Sequence, residues 1–528
     1  MIEGFSYIVF GLALACLLWV RCNTILTYFQ QEEYDSGRFV TAWREVRLYD
    51  VKASIVFLLC MLAGWLFIGK AAALFLCAVV FLVIAWTEKS YRFKKPLAVT
   101  ERLKRIRVVV AAVLVVLVLL CLLFRPLTLL VLQSVPFLIM LVNAALAPAQ
   151  AKINEGFIQE ARARLKESQA LRIGITGSFG KTTVKHILAE LLELSGPVFF
   201  SKGSINTELG LTRHIRQRLQ PAHQYFIAEM GAYQIGSIER LCRFVEPDYG
   251  MVTAVGDAHA ERFGGLEKTA IAKSELPDWI CKHGKRVVVT EDVMKNKPFQ
   301  QLQKEDPDKF IVVGHSQQCD VQILDSQLKS GAWQIELKLP DNTNLTYSIP
   351  LLGDHNIMNS ALCVALVHLI DPSVTHRLPG VSKSLAQVVH RLELKENPGH
   401  PAMLDDAYNS NEQGFANAVQ VLRQLADERG GQAIVVTPGI AELGNEHDAV
   451  HQRIGQHCVD HRCDLVIVVN PDRIPSFVKA LGGEGPNVVL VSSLAAARQH
   501  LAELSLSEKD VVLYENDLPD LLEEHRLL

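Results

Sequence analysis

The sequence predicts a helical transmembrane domain followed by two α/β domains. Three observations carry this. Apolar residues crowd the first 150 of 528 positions and lift the hydrophobic share to 49%. A glycine-bearing turn at 176–180 sits between a strand-like run and an amphipathic helix. From there to the C-terminus, short apolar runs alternate with helical patterns. The expected division is 1–150, 151–384 and 385–528, because a chain this long exceeds one core.

In the first part, apolar stretches cover about 4–20, 53–69, 71–87, 108–124 and 127–146, each near the length needed to cross a bilayer. Gly69-Lys70 and Arg125-Pro126 separate neighbouring stretches as tight hairpins. The loop 88–107 carries Lys89, Arg92, Lys94, Lys95, Arg102, Lys104, Arg105 and Arg107, and the loop 21–52 carries Arg21, Arg38, Arg44, Arg47 and Lys52. The positive-inside rule puts both loops in the cytoplasm. Five crossings then leave everything after residue 147 inside. Four crossings result if 53–87 is one broken helix. No basic segment precedes the first stretch, which reads as an anchor rather than a cleaved signal.

Lys152 to Gln169 reads as a charged helix leading to a strand at Leu171–Ile175. Further strands are expected at Gln224–Glu229, Tyr249–Ala254 and Arg286–Val289, giving a doubly wound sheet. Alternating runs at Phe310–Val313, Trp333–Leu339 and Leu345–Ile349 read as an antiparallel insert. In the last block, strands are expected at Ala402–Leu404, Ala433–Val436, Leu465–Val469, Asn487–Val491 and Asp510–Tyr514.

The chemistry concentrates at Thr176-Gly177-Ser178-Phe179-Gly180-Lys181-Thr182-Thr183. Gly177 and Gly180 let backbone N–H groups turn toward phosphate oxygens, and the following helix adds its positive dipole end. Lys181 can reach the β/γ-phosphates and the Thr182 hydroxyl can ligate Mg²⁺, so the loop predicts ATP binding. Five residues rather than four separate Gly174 from Gly180, so this is a variant of the eight-residue phosphate loop. Glu229 ends an apolar strand, where a carboxylate can hold the bridging Mg²⁺. Val255-Gly256-Asp257-Ala258-His259 follows another strand and offers a second metal ligand. Lys273 alone reads as a solvated helix residue, and His355, Asn356 and Asn359 as a nucleotide contact or a helix cap.

Net charge is −3, which gives no global pull toward nucleic acid. The eleven cysteines are scattered, several in apolar runs, as reduced buried thiols are. His457, Cys458, His461 and Cys463 mimic a zinc set, but their spacing on one helix does not make four ligands converge.

Together and in order, these motifs resemble the Mur ligase family, closest to its MurF type in a membrane-anchored variant. The likeness covers about 170–450 well. It implies a P-loop Mur ligase central domain and a Rossmann-like C-terminal domain. Residues 176–183 resemble the family ATP loop, and Asn206-Thr207-Glu208-Leu209-Gly210 its segment near the substrate. Glu229 and His259 fall where the family holds two magnesium ions, and Lys273 on the lysine that it carbamylates. His355-Asn356 and Asn359 match its adenine-side signature, and Arg391 its hinge arginine. Asp406, Tyr408, Asn409 and Asn411 match the Asp-Ser-Tyr-Asn-Ala-Asn segment, and Glu442-Leu443-Gly444 the Ala-Glu-Leu-Gly segment. Ser410 and Glu412 depart from the pattern, as does Tyr514-Glu515-Asn516-Asp517 in place of Lys-Gly-Ser. A membrane domain stands where soluble relatives grip the UDP-sugar.

The resemblance implies an ATP-dependent ligase that adds D-Ala-D-Ala to a UDP-muramoyl tripeptide through an acyl phosphate, at the inner membrane of a bacterium. Lys181, Glu229, His259 and Lys273 would be catalytic. Thr182, Glu229, His259 and carbamylated Lys273 would hold two Mg²⁺. Gly177, Gly180, Thr183, His355, Asn356, Asn359, Arg391 and Asp406 would bind ATP, and Asn206, Tyr408, Asn409, Asn411 and Glu442 the substrates. Other cell-wall enzymes are candidate partners. The alternatives are a ligase for another acidic polymer such as poly-γ-glutamate, a membrane P-loop ATPase, and a non-catalytic cell-wall scaffold.

Overall fold

The computed structural model describes residues 2–46, 50–90, 93, 96–232, 234–256, 265–329, 332–381, 387, 391–407, 411–441, 443, 446–482 and 485–516. The chain forms two compact units, one ending at Asn154 and one spanning Glu155–Asp517.

The first unit is helical: α1 (Ile2–Gln31), α2 (Ser36–Val46), α3 (Val51–Ala63), α4 (Lys70–Lys89), α5 (Glu101–Leu123) and the start of α6 (Leu127–Glu167). Among the described residues, five helical spans are long and apolar enough to cross a membrane: Gly4–Gln31, Val51–Ile68, Lys70–Lys89, Glu101–Leu123 and Leu127–Glu167. In four of them and the first part of α6, apolar residues surround the helix rather than forming one stripe. Phe10, Leu14, Leu17, Cys77 and Phe81 pack inward, while Trp65 and Phe67 point outward with 80% and 82% of their surface exposed. Two readings change. Arg21 is not a loop charge: α1 runs on to Gln31, and the guanidinium is buried between Asp50 (3.0 Å) and Glu88 (2.9 Å). The last apolar stretch and the charged helix after it are one continuous α6, with Pro136 and Pro148 inside it.

The second unit opens on a nine-stranded sheet of order β2-β3-β1-β4-β5-β6-β7-β8-β9. Its strands are β1 (Leu171–Thr176), β2 (Val198–Phe200), β3 (Tyr225–Glu229), β4 (Tyr249–Val252), β5 (Arg286–Thr290), β6 (Phe310–Gly314), β7 (Val321–Lys329), β8 (Ala332–Lys338) and β9 (Asn344–Ile349). β2 to β7 pair in parallel, and β7-β8-β9 extend the same sheet antiparallel. The expected antiparallel insert is therefore a sheet extension, and its first run, Phe310–Val313, belongs to the parallel part.

Val, Ile and Phe on both faces make these central strands continuous apolar runs, which require helices above and below. On one face lie α7 (Lys181–Glu193) and, further along, the helix His355–Ile370, whose Val184, Leu188, Leu362 and Leu366 join one core. On the other lie α8 (Glu208–Arg218), α9 (Ser237–Val245) and α10 (Leu266–His283), with Leu211, Ile238, Leu241, Leu276 and Ile280. α11 (Lys297–Glu305) follows β5; the helix His355–Ile370 is α12, and α13 (Pro372–Val381) comes next.

The second sheet has order β10-β11-β15-β12-β13-β14: β10 (Glu393–Lys395), β11 (Ala402–Asp406), β12 (Ala433–Thr437), β13 (Leu465–Val469), β14 (Asn487–Val491) and β15 (Val511–Glu515). Among the described strands of this sheet, only β10 runs antiparallel to its neighbour. α14 (Glu412–Arg429) and α15 (His447–Asp460) cover one face, and Ala497 and Leu501 of α17 (Leu494–Glu503), which follows the short α16 (Pro475–Ala480), join the core on the other. Cys458 and Cys463 are buried in the core on the α14–α15 face.

Candidate nucleotide and metal site

The loop after β1 is braced from three sides. Gly177 (φ +152°) lies where a Cβ would overlap the Thr253 hydroxyl, and Gly180 (φ +80°) where it would come within 2.7 Å of Asn359 Oδ1. Both backbones therefore demand glycine. Ser178 N–H donates to Ala254 O (2.8 Å), and Ser178 Oγ exchanges hydrogen bonds with Gly256 (2.9 Å each). Thr253 Oγ1 donates to Phe179 O. Lys181 folds back over the loop and donates to Gly177 O (2.7 Å) and Ser178 O (3.3 Å). Burial pushes its ammonium down from the usual lysine range, against the pull of Glu229. Thr183, one position on, is buried.

Glu229 sits at the end of β3, beside Ile175 in register. Its Oε2 accepts from Thr182 Oγ1 (3.1 Å) and Lys185 Nζ (2.9 Å), and its Oε1 from Asn206 Nδ2 (3.4 Å). Thr182 Oγ1 is also 3.1 Å from Ser204 Oγ. A hydroxyl at the start of a helix, hydrogen-bonded to a strand-end carboxylate, is the donor set that suits Mg²⁺ on a triphosphate. Together with the glycine-lined loop, these residues fit Mg²⁺ and ATP. Lys185 was not anticipated from the sequence. It lies one turn beyond Lys181, and that i, i+4 spacing was the available signal.

Lys273, on α10, is 4% exposed, and no described side chain pairs with it. Burial, reinforced by the charge of Lys181, drives its amine well below the ordinary value. Lys273 lies on a helix, as expected, but is buried rather than solvated.

At the start of α12, Asn356 Nδ2 donates to Leu352 O (2.6 Å) and Asn359 Nδ2 to Asn356 Oδ1 (3.0 Å). Both asparagines are buried, and Asn359 lies against Gly180. His355 accepts from Asn417 Nδ2 of α14. Arg391, two residues before β10, lies close enough to lower the pKa of Lys181, Lys185 and His355. Leu392 N–H donates to Asp406 Oδ1 (3.3 Å). Desolvation pushes the half-buried Asp406 carboxyl up to about 6, with Arg391 opposing; its register partner Glu515 is fully buried. Asn411 caps α14, accepting from Gly414 N–H (2.9 Å). His259, Tyr408, Asn409 and Glu442 lie outside the described residues.

A parallel sheet, a braced phosphate loop and a second α/β domain offering an arginine to it define a two-domain nucleotide-binding protein. The comparisons carry this to a family. Residues 175–367 match the Mur ligase middle domain and 390–514 the Mur ligase, glutamate ligase domain. UDP-N-acetylmuramoyl-tripeptide--D-alanyl-D-alanine ligase of Escherichia coli is 27% identical over 56% of this chain and 64% of its own. The Mycobacterium tuberculosis ligase of that name (strain H37Rv) is 30% identical over 57% of this chain and 58% of its own. The chain thus spans less than two thirds of these relatives. Among solved structures, MurF from Acinetobacter baumannii superimposes with a TM-score of 0.58 at 22% identity, covering 69% of this chain and 77% of that one. MurF ligase from Thermotoga maritima in complex with ADP gives 0.56 at 25%, covering 71% and 82%. The chain belongs to the Mur ligase family and is similar to its MurF members.

Proposed function

We propose that this chain is an ATP-dependent amide ligase of peptidoglycan precursor synthesis, adding D-alanyl-D-alanine to a UDP-linked muramoyl tripeptide. The observation that carries the reading is the Thr182–Glu229 contact beneath a phosphate loop, in a chain similar to ligases of that name. ATP supplies the phosphoryl group that activates the acceptor carboxylate as an acyl phosphate, and Mg²⁺ supplies charge neutralisation on it. Gly177, Gly180 and Thr183 shape the phosphate cradle; Lys181 turns from the loop carbonyls to the phosphates. Thr182 and Glu229 would hold one metal. His259 and Lys273 would hold a second, the buried Lys273 amine first taking up carbon dioxide and losing a proton to become an anionic carbamate. Arg391 and Asp406 close on the phosphates, His355, Asn356 and Asn359 on the nucleoside side, and Asn206, Tyr408, Asn409, Asn411 and Glu442 on the substrates. The five apolar helices anchor residues 1–150 in the inner membrane, with 151–384 and 385–528 as catalytic domains in the cytoplasm.

The test is phosphate release from ATP by the detergent-purified protein. Release that needs both UDP-muramoyl tripeptide and D-Ala-D-Ala, and that is lost in Lys181→Ala, supports the reading. Release that needs glutamate instead transfers the chain to acidic-polymer synthesis.

A further inference from the structure

Lys185 has no place in the reading above, yet it makes the strongest contact that Glu229 has. Its side chain is fully buried, its Nζ lies 2.9 Å from Glu229 Oε2, and it also donates to Gly203 O. Glu229 is itself 1% exposed. A carboxylate so buried must be matched by a cation or take up a proton. Lys185 supplies the cation, on the same oxygen that accepts from Thr182.

We infer that Lys185 is the resident counter-ion of Glu229 and a positioning residue that makes divalent-metal binding depend on nucleotide. The inference rests on the reading of Glu229 as a metal-holding residue. With the ammonium in place, a lone divalent cation meets a carboxylate whose charge is already cancelled and whose Oε2 is already engaged. The triphosphate brings the further negative charge that draws the metal in. Lys185 also ties the turn at Gly203, and through it the segment carrying Asn206, to the same carboxylate. Metal and substrate-side loop are thereby oriented by one side chain.

The probe is Mn²⁺, followed by electron paramagnetic resonance on the full chain in detergent, with and without ADP. Wild-type protein is expected to bind Mn²⁺ weakly without ADP. Lys185→Met should gain about tenfold or more in nucleotide-free Mn²⁺ affinity, Lys185→Met/Glu229→Gln should lose that gain, and Lys185→Arg should restore nucleotide dependence. Lys185→Gln, which keeps a donor for Gly203, should gain as Lys185→Met does and serves if the methionine variant does not fold. Tight nucleotide-free Mn²⁺ binding by the wild type, or no gain in a Lys185 variant that still binds Mn²⁺–ADP, overturns the counter-ion role alone. Unchanged Mn²⁺–ADP affinity in Glu229→Gln overturns the metal assignment of Glu229, and the inference with it.

Discussion

Gly180→Ala measures how tightly the phosphate loop is built. At φ +80° an alanine costs about 1–2 kcal/mol of left-handed strain. The new Cβ would also stand 2.7 Å from Asn359 Oδ1. Asn359 must then turn away, which forfeits its bond to Asn356 Oδ1 and leaves a buried acceptor empty, a further cost of about 1–3 kcal/mol. The sum, about 2–5 kcal/mol, lowers the melting temperature of a domain this size by about 4–20 °C. Gly236 provides the control: its φ is +87° and nothing lies within 4 Å of its Cβ position. Gly236→Ala should therefore show the strain alone, about 1–2 kcal/mol. Scanning fluorimetry of the purified protein reads both. In a double-mutant cycle, Asn359→Ala should recover the steric part of the Gly180→Ala loss. Equal losses at the two glycines, or strict additivity with Asn359→Ala, would refute the reasoning.

Other expectations follow from the same geometry. The Asp406 carboxyl titrates near 6 when folded and near 3.8 otherwise, so the folded state holds the extra proton between those values and loses stability as pH rises through them. The difference, about two pH units at 1.36 kcal/mol each, is about 3 kcal/mol. Asp406→Asn should thus be about 3 kcal/mol more stable than wild type above pH 7, equal to it below pH 4, and inactive; a pH-independent difference in unfolding curves would contradict this. Arg21→Gln leaves Asp50 and Glu88 buried without their cation and should destabilise the helical unit by about 3–5 kcal/mol, read as a lower melting temperature in detergent. Protein equilibrated with ¹³C-bicarbonate should show a carbamate carbon resonance that Lys273→Ala lacks; the same resonance in both would remove the carbamate from Lys273.

Much of this was legible in the sequence because local rules and tertiary structure agree. The run Leu171–Ile175, the glycines at 177 and 180, and the helix opened by Lys181 form one local unit, and the structure keeps it. Central strands such as Leu465–Val469 are apolar on both faces and declare themselves. β7 was missed because its solvent side carries Gln322, Asp325 and Gln327, which break the apolar run. β2 and β10 are only three residues long. Lys185 reads as an ordinary surface lysine until Glu229 arrives from a strand 44 residues away. The same holds for Arg21, whose carboxylate partners come from the N-cap of α3 and from α4, and for Asp406, which meets Glu515 only through strand register.

In the proposed reaction a carboxylate is activated by phosphoryl transfer before the amide forms. It is tested most directly by labelling the acceptor carboxylate with ¹⁸O. If its oxygen attacks the γ-phosphate and phosphate then leaves as the amine attacks, released phosphate carries one ¹⁸O from the acceptor, and mass spectrometry shows the matching amide product. Unlabelled phosphate, released at the same rate with or without the amine, would contradict the account and leave a nucleotide hydrolase in its place.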